Sequence, residues 1–193
     1  MSIKKCADAI DDVNLLREDY YGGSKKSVWY SSISSCIAIN LSVPTGAGAS
    51  ARTNFAGFHS TLADTKEEIN SALSSLSGYA SELGGKFRIA YLIGCTSIYF
   101  SKTKNGPKSV YELADMIRAR YKDDITGIYY YDLSLGYINS NQTFNVFTEN
   151  QSTEDNFFSY LMPGDDALLQ KNKERDIKPS NRVFIRNSDL KAA

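Results

Sequence analysis

The chain has 193 residues, 42% of them hydrophobic and 23% charged, which suits one packed domain with extensions and excludes disorder over most of its length. Lys+Arg and Asp+Glu both number 22, so the formal net charge is zero and attachment to nucleic acid or an anionic membrane by bulk charge is excluded. One histidine and three cysteines (Cys6, Cys36, Cys95) are too few for a disulfide scaffold or a His-cluster metal centre, and their spacing matches no zinc pattern; no metal and no cofactor is expected.

Residues 3–19 read as an amphipathic helix. Ile3, Cys6, Ala7, Ile10, Val13 and Leu16 fall at helical spacing, and Gly22-Gly23 supplies a stop. The same N-terminus turns acidic where a cleaved leader turns apolar, and no run approaches the roughly 20 apolar residues that span a bilayer. The expectation is a soluble protein, cytoplasmic or delivered into a target cell by a non-classical secretion route.

From Val28 to Val43 the pattern becomes that of a strand. Ile37, Ile39, Leu41 and Val43 alternate with Ala38, Asn40 and Ser42, which puts Cys36 on the face opposite the Ile37 set. Pro44 and a Gly/Ala/Ser loop follow. Thr65 and Glu68 form a capping box that opens a helix over 66–83, with a stripe of Ile69, Leu73, Leu76, Ala80 and Leu83. Phe87–Ile93 reads as a strand ending at Gly94-Cys95. A second box, Ser109 to Glu112, opens a helix over 109–121. Strands are expected at 125–138 and 143–148, with Ser140-Asn141 as a hairpin turn between them. Beyond residue 150 a short helix near 165–174 and a strand at Arg182–Arg186 are expected. The chain then divides into a domain over 1–150 and an extension over 151–193 that packs on it or engages a partner. The order of elements predicts an α/β fold: a mixed sheet sandwich with two or three packed helices. No dinucleotide or Walker A glycine pattern is present.

One enzymatic option survives this composition, thiol chemistry. A cysteine becomes a nucleophile beside a base, and His59 is the only imidazole in the chain. The plainer reading makes Cys36 a buried small residue of an Ile-rich strand and His59 a capping or surface residue. Likewise Tyr129-Tyr130-Tyr131 reads as a strand with rings on both faces rather than a binding surface, and Arg52 as a solvated charge. Cys95 can lie near the site, where strand ends gather. Asp132 and Asp64 are alternatives for orienting His59.

The ordered set of features resembles the CheD family of chemoreceptor glutamine deamidases, whose catalytic fold is shared with the deamidase domain of cytotoxic necrotizing factor toxins. Ser35-Cys36-Ile37-Ala38-Ile39-Asn40-Leu41 fills the place of the family's Gly-Ser-Cys motif running into a strand. Gly57 to His59 fills the place of its Gly-x-x-His segment, and the helix, strand, helix and hairpin follow in order over 28–148. The resemblance implies a cysteine nucleophile, Cys36, with His59 as base, acting on a glutamine side chain of a protein. Ser34 stands where the family has glycine, Gly57 lies two rather than three positions before His59, and Tyr30 stands at the family's third catalytic position. Ser32, Ser31 or Tyr30 itself is left to supply that group, with Ser32 taken first. The implied partner is a protein presenting glutamine, with neither nucleic acid nor membrane insertion involved. The chain then belongs to a secreted effector or toxin, or to chemotaxis. The competing class is a non-enzymatic binding module of the immunity or adaptor kind, and a cysteine peptidase ranks third.

Overall fold

A computed structural model describes residues 3–6, 11, 13–47, 52–133, 144–149, 156–161, 182–186 and 189–193. The expected helix near 165–174 and the turn at Ser140-Asn141 lie outside the described residues. The fold is α/β, with helices packed on one of two mixed sheets.

The first residues run opposite to expectation. In place of a helix over 3–19 the chain forms strands β1 (Lys4–Lys5) and β2 (Val13–Leu16). Asn14 and Leu16, two apart, are both buried, and Asn14 Nδ2 donates to the Gly23 carbonyl. A period of two thus wins locally over the helical spacing of the wider stripe. Cys6, expected as a small core residue, is half-buried, and its thiol donates to the Leu15 carbonyl. Gly22-Gly23 stops no helix but lies inside β3 (Tyr20–Ser24).

The single strand expected from Val28 to Val43 is two strands, β4 (Ser27–Ile33) and β5 (Ile37–Thr45), with a break at 34–36. β6 (Arg52–Ser60) returns antiparallel to β5, Thr45 facing Arg52 and Ile37 facing Ser60. The sequence gives β6 little signature, because Phe55, Ala56, Phe58 and His59 are buried on both faces and no polar alternation survives.

Helix α1 (Lys66–Glu82) carries the expected reciprocal capping box, and Gly84 follows its end at φ 93°. β7 (Ile89–Gly94) comes next. A helix absent from the expectation, α2 (Thr96–Lys102), then precedes α3 (Val110–Tyr121). In the second box Ser109 accepts from the Glu112 amide, but the Glu112 carboxylate accepts from the Lys108 amide and the Lys66 ammonium. β8 (Gly127–Asp132) lies parallel to β7, as a crossover through helices requires. β9 (Phe144–Glu149), β10 (Asn156–Leu161), β11 (Arg182–Arg186) and β12 (Lys191–Ala192) complete the chain.

The larger sheet has the order β1-β3-β6-β5-β7-β8-β12 and the smaller β11-β10-β9-β4-β2. β8 and β9 therefore lie in different sheets, so these two described strands do not pair as the expected hairpin. β9 pairs with β4 instead. The first five strands alternate between the sheets, β1, β3 and β5 in the larger, β2 and β4 in the smaller.

Two cores result. Ile37, Ile39, Leu41 and Val43 of β5 pack with Phe58, Leu92 and the α1 and α3 stripes (Ile69, Leu73, Leu76, Leu113, Ile117). On the other face of the same sheet, Cys36, Ala38, Phe55, Tyr91, Ile93 and Cys95 pack with Leu16, Val28, Tyr30 and Ile33 from the smaller sheet. The alternation read from β5 assigns its faces correctly, including that of Cys36. Tyr130 packs toward the helices and Tyr129 and Tyr131 toward the second core, so the tyrosine run is a strand with rings on both faces. Among the described residues no helix is long and apolar enough to cross a membrane.

Candidate functional site

Cys36 lies one residue before β5, on the face that meets the smaller sheet. Ala38, two residues on, shares that face and pairs directly with His59 of β6. Cys36 and His59 are thus diagonal neighbours on adjacent strands, a placement that brings side chains within reach. A third group joins them. The Cys36 thiol sulfur, a ring nitrogen of His59 and a carboxylate oxygen of Glu18 all lie within 4.8 Å of one another. The thiol donates to Glu18 Oε1 at 3.7 Å.

Glu18 is held there by its turn. The Tyr20 amide donates to the Arg17 carbonyl, closing residues 17–20, and Asp19 adopts a left-handed φ of 62°. The Asp19 amide donates to the His59 carbonyl at 3.1 Å, and Thr61 Oγ1 donates to Asp19 Oδ1 at 3.3 Å. The turn is therefore fastened to the end of β6, beside the imidazole.

Ser32 sits in a bulge of β4, between Tyr30 and Ile33, with φ 58°, and its side chain is half-buried. Left-handed non-glycine residues store strain of roughly 1–3 kcal/mol, and such residues gather at functional sites. Two of them lie close to the cluster in sequence, Asp19 next to Glu18 and Ser32 in the β4 bulge four residues before Cys36. Ser31 is buried. Tyr30 is fully buried, and its phenol donates to Asn40 Oδ1 at 2.8 Å, across the gap between the sheets. The third member of the cluster is Glu18, which sequence reasoning missed. Asp-Tyr after Glu18 is a weak turn signal, and it disappears inside the helical stripe assigned to 3–19.

The two aspartates weighed for His59 serve other groups. Asp132 Oδ2 accepts from the Ser97 amide and hydroxyl at the start of α2. Asp64 Oδ2 accepts from Ser60 Oγ at 2.9 Å and the Thr61 amide at 2.7 Å. The Asp64 carboxyl is pushed up to about 6, chiefly by burial. Cys95 lies one residue beyond the last pair of the β5–β7 ladder, as Cys36 does, and caps α2 without a side-chain bond. Burial and the Asp132 charge push its thiol up to about 11.

Cys36 is 4% exposed and His59 0%. Burial, then the Glu18 charge and hydrogen bond, push the Cys36 thiol up to about 12; the Ser35 amide and hydroxyl pull in the opposite direction. Cys36 at rest is a neutral thiol, buried together with His59. A cleft of about 520 Å³ lies elsewhere, lined by Lys86, Phe87, Arg120, Tyr121 and Asp124 among others. It opens near the start of β7, whereas Cys36 lies at that strand's far end. The thiol cluster, which holds the reactive groups, is the better candidate for chemistry. No protein-family model matches the chain, and no curated protein matches it significantly.

Proposed function

We propose that the protein is a cysteine-dependent amidohydrolase of the CheD and necrotizing-factor type that converts a glutamine side chain of a protein partner to glutamate. The observation that carries this reading is the convergence of Cys36, His59 and Glu18 within 4.8 Å. Nucleophile, base and carboxylate are the parts of an acyl-transfer triad, in which the base removes the thiol proton to free the attacking thiolate.

The chemistry follows from those parts. His59 takes the thiol proton as Cys36 Sγ bonds to the carboxamide carbon. Glu18 stabilises the imidazolium that results. Collapse breaks the C–N bond, and His59 hands its proton to the departing nitrogen, which leaves as ammonia. Water then attacks the thioester, His59 accepts its proton, and the thiolate leaves with a glutamate on the partner. Ser35, whose amide and hydroxyl face the sulfur, is the nearest donor set for the developing oxyanion.

Blocked glutamine-containing peptides and unfolded proteins, incubated with the enzyme, should release ammonia and show amide-to-acid mass shifts. Cys36→Ala and His59→Ala should each lower that rate by about 10²–10⁴-fold. Deamidation that persists in Cys36→Ala overturns the reading.

The burial of Cys36 and His59 favours a second reading, a non-enzymatic protein-binding module. It expects neither ammonia release nor a covalent adduct at Cys36, with a partner bound equally by wild type and Cys36→Ala.

A further inference from the structure

We propose that Glu18, Cys36 and His59 form a three-ligand site for a divalent transition metal of the zinc class, and that the metal, when bound, withdraws the Cys36 sulfur from nucleophilic use. The binding half stands on the donor set alone; the inhibitory half rests on the deamidase reading.

The donors are one sulfur, one imidazole nitrogen and one carboxylate oxygen, a set that suits zinc and its neighbours and not magnesium or calcium. Ligand atoms around a tetrahedral zinc lie about 3.5 Å apart, given bonds of about 2.0–2.3 Å. Atoms within 4.8 Å of one another need draw in by about 1 Å at most, and the Cys36 sulfur and Glu18 oxygen already stand at 3.7 Å. Glu18 is the exposed member, on a turn, and supplies that movement, while Cys36 and His59 are fixed on paired strands. A thiolate and a carboxylate together balance a divalent charge, so the loaded site is neutral, which suits the burial of Cys36 and His59. The fourth position is left to water. The left-handed Asp19, bonded to the His59 carbonyl, keeps the carboxylate beside the other two donors.

The chain binds the ion through its own side chains: the metal–sulfur bond forms as the thiol proton leaves to solvent. Zinc draws electron density from the sulfur and occupies the His59 nitrogen that would serve as base, so one equivalent of zinc silences the enzyme and a chelator restores it.

Chelator-stripped full-length protein titrated with Co²⁺ alone should take up one equivalent and develop a thiolate-to-cobalt charge-transfer band in the near ultraviolet. Zn²⁺ should bleach it. The double variant Cys6→Ser/Cys95→Ser should keep the band, and Cys36→Ser should lose it. Glu18→Gln, at an exposed turn, keeps the fold intact and should weaken Co²⁺ binding by about 10-fold or more, with the band retained. Absence of the band in wild type, its persistence in Cys36→Ser, or unchanged affinity in Glu18→Gln overturns the site. Zinc-insensitive deamidation by a protein that binds cobalt overturns the inhibitory half. A cobalt band in a protein that never deamidates glutamine upholds the metal site and removes the enzyme reading instead.

Discussion

Glu18 has opposing effects on the chemistry around it. Its charge holds the Cys36 proton in place, and in the proposed mechanism the same charge steadies the imidazolium that forms when that proton moves. With the thiol pushed up to about 12, very little of it is thiolate at pH 8. Alkylation of Cys36 by iodoacetamide should therefore be slow near neutrality and accelerate with rising pH. Glu18→Gln removes a charge that disfavours the thiolate, so its Cys36 should alkylate severalfold faster at pH 8, read by mass spectrometry of the Cys36 peptide. Deamidation should fall in the same variant, because the imidazolium loses its counter-charge. An acidic group that merely blocked the thiol would raise both rates. The residues that sequence could supply here were those on a regular strand. Alternation along β5 fixed the face of Cys36, and pairing with β6 brought His59 to it. Glu18 arrives through a turn whose geometry depends on bonds to His59 and Thr61, far along the chain, and no local pattern encodes that.

Among the elements, β6 shows how closely the two sheets approach. A Cβ at Gly57 would lie 2.1 Å from the Tyr30 hydroxyl and 2.2 Å from the Ile39 carbonyl oxygen. Neither can retreat: the phenol is bonded to Asn40 and the carbonyl belongs to β5. Gly57→Ala should thus destabilise by about 3 kcal/mol or fail to fold, measured as a lowered urea midpoint. At the end of the same strand, Asp64 links stability to pH. Its carboxyl titrates near 6 folded and near 3.8 as an ordinary aspartate, so the folded chain binds the extra proton between those values. The contribution of this group is full below about 3.8 and is lost as pH rises through 6. Unfolding free energy should accordingly decline from pH 5 to pH 7 by more in wild type than in Asp64→Asn, measured by urea unfolding at both pH values. The helices α1 and α3 were legible because a capping box is written in four consecutive residues. β2 was hidden inside the helical stripe read over 3–19, and β3 and β6 were not legible because two-sided burial and glycines at close contacts erase the polar alternation by which strands are recognised.

For the whole molecule, β5 is the strand with most to lose. It carries one core on each face and pairs along both edges. Amides at Ile39 and Leu41 should exchange with solvent slowest, and those of the two-residue edge strands β1 and β12 fastest, in a hydrogen-exchange experiment followed by mass spectrometry or NMR. The fold class was readable from the order of helices and strands, whereas the division into two sheets was not. Tyr129–Tyr131 and Phe144–Phe147 look like successive arms of a hairpin. Only the partners of each, β7 for one and β4 for the other, separate them.

The alternation of the first five strands between sheets distributes the cluster across the chain in a particular way. Glu18 lies on the link from β2 to β3, and Cys36 on the link from β4 to β5, both crossing from the smaller sheet to the larger. His59 comes after the next turn, on the far side of residues 48–51. A break in that turn would leave the sulfur and the carboxylate on one fragment and the imidazole on the other. Neither piece would hold a complete set, and the three groups would be reunited only where the nine paired positions of β5 and β6 zip together again. Reactivity at Cys36 would then act as a reporter of fragment complementation, and during synthesis the thiol stays without its base until the chain has grown past the β5–β6 turn.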